Sequence, residues 1–104
     1  LLDRARTALA LVAQKADDGE ISGLRAALEA APDDHTKRLE LASALFAAGE
    51  RDEAAEQLLT VVRADKDWNE GAARAKLLQI FEAVGLEDPW VSATRRKLSA
   101  ALFG

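Results

Sequence analysis

Few residues in this chain of 104 are of types that do chemistry. The single histidine, His35, follows two adjacent carboxylates, Asp33 and Asp34, and a second such pair is Asp17 and Asp18. A histidine beside carboxylates is material for general acid–base catalysis, which needs a partner held within hydrogen-bond reach. The chain has no cysteine, and no serine-bearing turn lies near His35, so no nucleophile is set against it. His35 therefore reads as a solvated surface histidine. The aspartate pairs lack the ligand spacing of a calcium loop and fall in turns, where short carboxylates cap helices. With no cysteine there is also no disulfide and no zinc cage. The expectation is a chain with no catalytic residue, cofactor or metal, and not an enzyme.

Binding chemistry is better represented. Arg95, Arg96 and Lys97 form a basic run, followed by Leu98, Leu102 and Phe103. Read as a site, this is a basic handle for an acidic partner beside an apolar docking edge. Read as scaffold, the cations lie on a solvated face in the C-terminal half of a helix, and Leu98 and Leu102 pack on the helix before. Trp68 and Trp90 each stand at an expected helix start, where an aromatic clamps the entering chain or meets a client. A clamp for a peptide carboxylate is disfavoured, because Asn69 is the only asparagine and Ser43 stands where such a clamp wants another.

The global balance excludes two partner classes. Net charge −4 and a pI of about 5.0 leave no basic field for a phosphate backbone, so nucleic acid is not expected. Apolar runs such as Ala8 to Ala13 are too short to span a bilayer, and no secretory signal is recognisable, which points to a cytoplasmic chain. The chain opens inside a helical pattern with Leu1-Leu2-Asp3 and holds no methionine, as expected of a fragment of a longer protein.

The elements that must position these residues are helices. Hydrophobic residues make up 49% and aromatics 5%, with alanine dominant, which favours helix over strand throughout. Asp17-Asp18-Gly19, Pro32 to Asp34, Gly49 to Asp52, Asp65 to Asp67 and Gly85 to Pro89 divide the chain into six helix-length segments. Asp18, Asp34, Asp52, Asp67 and Asp88 are the expected N-caps, Asp67 with Glu70 has capping-box spacing, and Pro89 suits a first helical position. Apolar stripes run through Leu24, Leu28 and Ala31; Leu41, Ala42 and Leu45; and Leu58, Val61 and Val62. They continue through Leu77, Ile80, Phe81 and Val84, and through Val91, Leu98, Ala101 and Leu102.

Shifting the chain against itself by about 34 residues pairs Arg4 with Arg38, Ala8 with Ala42, Leu11 with Leu45, Asp18 with Asp52, Leu24 with Leu58 and Asp33 with Asp67. A period of that length built from two helices is the tetratricopeptide signature. Ala42 and Ala54 occupy its small-residue positions, where helix axes approach closely. Gly49 is expected to end its helix with positive φ. The last two helices do not follow the shift and read as a divergent capping hairpin. The fold expected is all-α, a tetratricopeptide-like array of about six antiparallel helices in three hairpins, forming one domain over residues 1–104.

The stretches ALFAAGERDEAAEQLLTVVRADKDWNEGAARAKLLQIF and LLQIFEAVGLEDPWVSATRRKLSAALFG together resemble the C-terminal helical domain of the YbbN/CnoX thioredoxin-like co-chaperones, the chaperedoxins. The likeness is clearest from Ala31 to Phe103, and Gly85-Leu86-Glu87-Asp88-Pro89 followed by Arg95-Arg96-Lys97-Leu98 and Leu102-Phe103 is its more specific part. The resemblance implies a thioredoxin-like domain upstream and a protein–protein interaction module that binds unfolded clients, a chaperonin or an Hsp70-type chaperone. It also implies docking through the last helix, with Arg95, Arg96, Lys97, Leu98, Leu102 and Phe103 as contacts. The alternative is a tetratricopeptide scaffold domain of an unrelated multiprotein assembly, to be told apart by what precedes Leu1.

Overall fold

The computed structural model describes residues 19–103, which are all-α as expected. Five α-helices follow one another: α1 (19–30), α2 (His35–Ala47), α3 (Arg51–Ala64), α4 (Ala72–Val84) and α5 (Pro89–Phe103), with a 3-10 turn at Trp68–Gly71 before α4. The sixth expected helix, the Asp18 cap and one member of four of the six 34-residue pairings lie outside the described residues. Gly19, expected in a turn, is already helical.

Local chemistry explains the α2–α3 hairpin. Asp34 caps α2, its Oδ1 accepting the Lys37 amide at 3.0 Å. At the other end Gly49 takes φ 88°. Its amide reaches the Phe46 carbonyl at 3.0 Å, while the Glu50 amide reaches back to the Leu45 carbonyl at 2.8 Å. That pair of bonds is a Schellman closure, which needs the left-handed residue that only glycine adopts without strain. The chain then enters α3 at once. Glu50, not Asp52, is its N-cap, and no side chain caps it. Asp52 lies inside the first turn and is taken by a distant partner, which a one-dimensional spacing rule cannot register.

The hairpin faces a core on each side. On one, Leu41, Leu45 and Ala54 meet Ile21, Leu24 and Leu28 of α1. On the other, Ala42, Ala55, Leu58, Leu59, Val61 and Val62 meet Ala73, Leu77, Ile80 and Phe81 of α4 and Val91 and Leu98 of α5. Six of the fourteen residues of α3 are buried, because it is covered by α2, α4 and α5 together. Ala42 and Ala54 are wholly inaccessible, as their small-residue positions predict. Each wholly buried leucine contributes roughly 1.5–3 kcal/mol, so the stripes at Leu41, Leu45, Leu58, Leu59 and Leu77 dominate cohesion. Ala31, expected in the α1 stripe, is exposed beyond the helix end.

The link from α3 to α4 departs from expectation. No capping box joins Asp67 to Glu70; instead the Asp65 carboxylate accepts the Asp67 amide at 3.1 Å. Asn69, Glu70 and Gly71 are consecutively left-handed, with φ of 48°, 58° and 78°. Asparagine tolerates that region, whereas Glu70 costs about 1–2 kcal/mol there. Gly85 (φ 119°) closes α4, and Pro89 opens α5, where the Asp88 carboxylate accepts the Trp90 amide at 2.8 Å.

In the last pair α5 lies against α3 and only lightly against α4. A clasp explains why. The Trp90 indole N–H donates to Asp52 at the start of α3, and the Arg51 guanidinium covers the same indole at 5.0 Å. Arg51 also pairs with Asp88 at 3.8 Å, and Phe81 meets Trp90 edge-on at 6.3 Å between ring centres. Farther along, Lys97 Nζ reaches Glu56 Oε1 at 3.2 Å, so α3 and α5 run in the same direction. The last pair is therefore two helices leaning separately on α3. Among the described residues no helix is long and apolar enough to cross a membrane.

Candidate functional site

The six expected contact residues separate by face. Leu98 is 4% exposed and belongs to the core against α3, beyond a partner's reach while the fold is intact. Lys97 is exposed and turned towards α3 by its bond to Glu56. Arg95 lies on the opposite side, its guanidinium 5.9 Å from the Phe81 ring centre, and Arg96 is exposed. Leu102 is half-buried, and Phe103 is 86% exposed, far more than any other large apolar residue described.

Leu102 and Phe103 form one wall of a cleft of about 600 Å³. The facing wall is Lys66, Asp67, Glu70 and Gly71 from the left-handed turn, with Arg74 from the first turn of α4. None of those five residues was singled out for binding by sequence reasoning. No local signal marks them, because three consecutive left-handed residues bring Lys66 and Arg74 to the end of α5 and only the first of those residues, Asn69, and the last, Gly71, are of types that favour the conformation. The arrangement is an open apolar shelf rimmed by both signs of charge. It suits a side chain of another protein better than a reaction, since no histidine, serine, threonine or cysteine lines it.

The other candidates are structural. His35 is not a solvated surface residue: it is half-buried, edge-on to Trp68 at 5.5 Å, with Nδ1 shielded and without a hydrogen-bond partner. The left-handed turn carries Trp68 back over the start of α2, which no pattern near His35 reveals. Trp68 and Trp90 both pack against the main core and leave little ring for a client. Ser43 donates to the Leu39 carbonyl at 3.2 Å, and Asn69 takes a left-handed backbone in the turn before α4. Among the described residues no three of His, Cys, Asp and Glu are grouped to hold a metal.

An exposed ion pair joins Arg25 of α1 to Glu53 of α3. The guanidinium hydrogen bond holds the Glu53 carboxyl below its ordinary value of 4.5 and raises Arg25 in turn. The pair fastens α1 to the hairpin and lies away from the cleft.

Compared with known proteins, residues 14–103 match a family model described as tetratricopeptide repeat. No curated protein and no solved structure matches the chain.

Proposed function

Because the chain belongs to the tetratricopeptide repeat family, whose stacked hairpins serve protein–protein interaction, we propose that it is the interaction module of a thioredoxin-like co-chaperone. Its partners are unfolded clients, a chaperonin or an Hsp70-type chaperone in the cytoplasm, and the contact is the exposed end of α5. The observation that supports this most is Phe103, 86% exposed beside a 600 Å³ cleft while the core below it is closed. A large aromatic held open at a helix end, next to the half-buried Leu102, is the anchor type that dominates protein interfaces.

The geometry selects the test. Truncation after Lys97 would remove Leu98 from the core and confuse unfolding with lost contact. Phe103→Ser changes the anchor alone. Capture of the 104-residue chain by purified chaperonin is expected to fall by about tenfold or more in Phe103→Ser, with unchanged helicity by circular dichroism. Absence of capture of the unaltered, folded chain overturns the chaperonin assignment, and equal capture of both overturns the contact.

A further inference from the structure

Two unfavourable features meet at one place in the molecule. Glu70 holds φ 58° and ψ 34°, a left-handed backbone that a glutamate side chain resists. His35, at the start of α2, carries the other: its Nδ1 is shielded from solvent and makes no hydrogen bond, so the hydration lost on folding is not replaced. Trp68 joins the two. Its ring meets the His35 ring edge-on at 5.5 Å, and its backbone opens the turn that holds Glu70.

A strained backbone persists only where its surroundings impose it. Trp68, half-buried against the main core, is what the left-handed turn gains. Backbone bonds inside the turn are few and long: the Trp68 amide reaches the Asp65 carbonyl at 3.2 Å, and the Glu70 amide reaches the Asp67 carbonyl at 3.1 Å. Both costs end together when the indole lifts, because Glu70 then returns to right-handed or extended backbone and His35 Nδ1 meets water. The flanking helices need not open. The Asp65 amide closes α3 on the Val61 carbonyl at 2.8 Å, and α4 begins only at Ala72.

We propose that the turn at Trp68–Gly71 is a two-state wall of the cleft. In the left-handed state Asp67, Glu70 and Gly71 stand opposite Leu102 and Phe103, and the cleft is formed. In the second state Trp68 leaves His35, Glu70 leaves the left-handed region, and that wall is displaced. A partner that fits the cleft binds the first state and draws the equilibrium towards it, so the strain at Glu70 lowers affinity until binding offsets it. The device concerns the shape of the cleft and does not depend on which protein occupies it.

The test is the fluorine NMR spectrum of the 104-residue chain labelled with 5-fluorotryptophan, in which the resonance lost on Trp68→Phe belongs to Trp68. Exchange of that resonance with a minor form of about 1–10%, absent at Trp90, is expected. Glu70→Gly removes the steric cost of the left-handed backbone and should reduce the minor form by about fivefold. His35→Phe keeps an edge-on ring without the nitrogen and should also reduce it. Glu70→Ala removes the carboxylate but keeps the strain, and should leave the exchange in place. No exchange at Trp68, equal exchange at Trp90, a minor form unchanged by Glu70→Gly or His35→Phe, or one that Glu70→Ala also removes would each overturn the two-state wall. Chaperonin capture is not read here, so failure of the wall leaves the Phe103 contact standing, and failure of that contact leaves the wall.

Discussion

The α2–α3 hairpin and the α4–α5 pair are both two helices joined by a glycine-containing turn, yet they are built oppositely. In the hairpin, Ala42 and Ala54 let the axes close, and the helices pack mainly on each other. In the last pair no alanine crossing forms, and each helix is fastened to α3 separately, α5 through the Trp90 clasp. The first arrangement closes on itself, and the second leaves a cleft between the left-handed turn, Arg74 and the end of α5. A close hairpin is a scaffold, whereas a splayed pair can expose a binding face.

The largest effect on this contrast should come from Phe81, which is fully buried and joins α4 to Trp90 and Arg95. Phe81→Ala should cost about 3–5 kcal/mol by urea denaturation and loosen α4 and α5 before the hairpin. Loss of α2 and α3 first would break the comparison. Next is Ala42→Leu, which overfills a site with no accessible surface and should cost about 1–3 kcal/mol. An unchanged melting temperature would mean that the axes can separate, and the hairpin would then be no tighter than the last pair. Gly49→Ala forces a side chain onto φ 88° and should cost about 1 kcal/mol, although a Cβ there meets no atom. A neutral result would show that backbone conformation at the turn does not set the hairpin.

The smallest effect concerns α1. The Glu53 carboxyl is lowered in the folded state, so its contribution is complete above its ordinary value of 4.5 and is lost as pH falls through the lower folded value. The pair is part-exposed, and Glu53→Gln should remove less than about 1 kcal/mol at pH 7 and flatten that acid limb. An acid limb identical to wild type would assign it to other carboxylates.

What the sequence revealed and what it concealed follow from the range of each interaction. The stripes at Leu41, Ala42 and Leu45 and at Leu77, Ile80 and Phe81, the Asp34 cap and the Gly49 stop are local, and they stand where periodicity and capping chemistry put them. The mismatch of the last helices with the 34-residue shift rightly marked the divergent pair. The candidate site was legible only along α5. Its other half, Lys66 and Arg74, is carried there by the left-handed run Asn69-Glu70-Gly71, whose middle glutamate runs against propensity. Asp52 looked like a cap because its spacing is right, and it is drawn instead to a tryptophan on another helix. His35 looked solvated because its cover, Trp68, comes from beyond the next hairpin turn.

The proposed division of labour makes α2 and α3 the scaffold and α4 and α5 the binding face. Amide hydrogen exchange of the 104-residue chain, with and without saturating purified chaperonin, tests it most directly. Added protection over residues 66–74 and 102–103, which line the cleft, and none on α2 is the expected result. Protection centred on α2, or none anywhere, would contradict it.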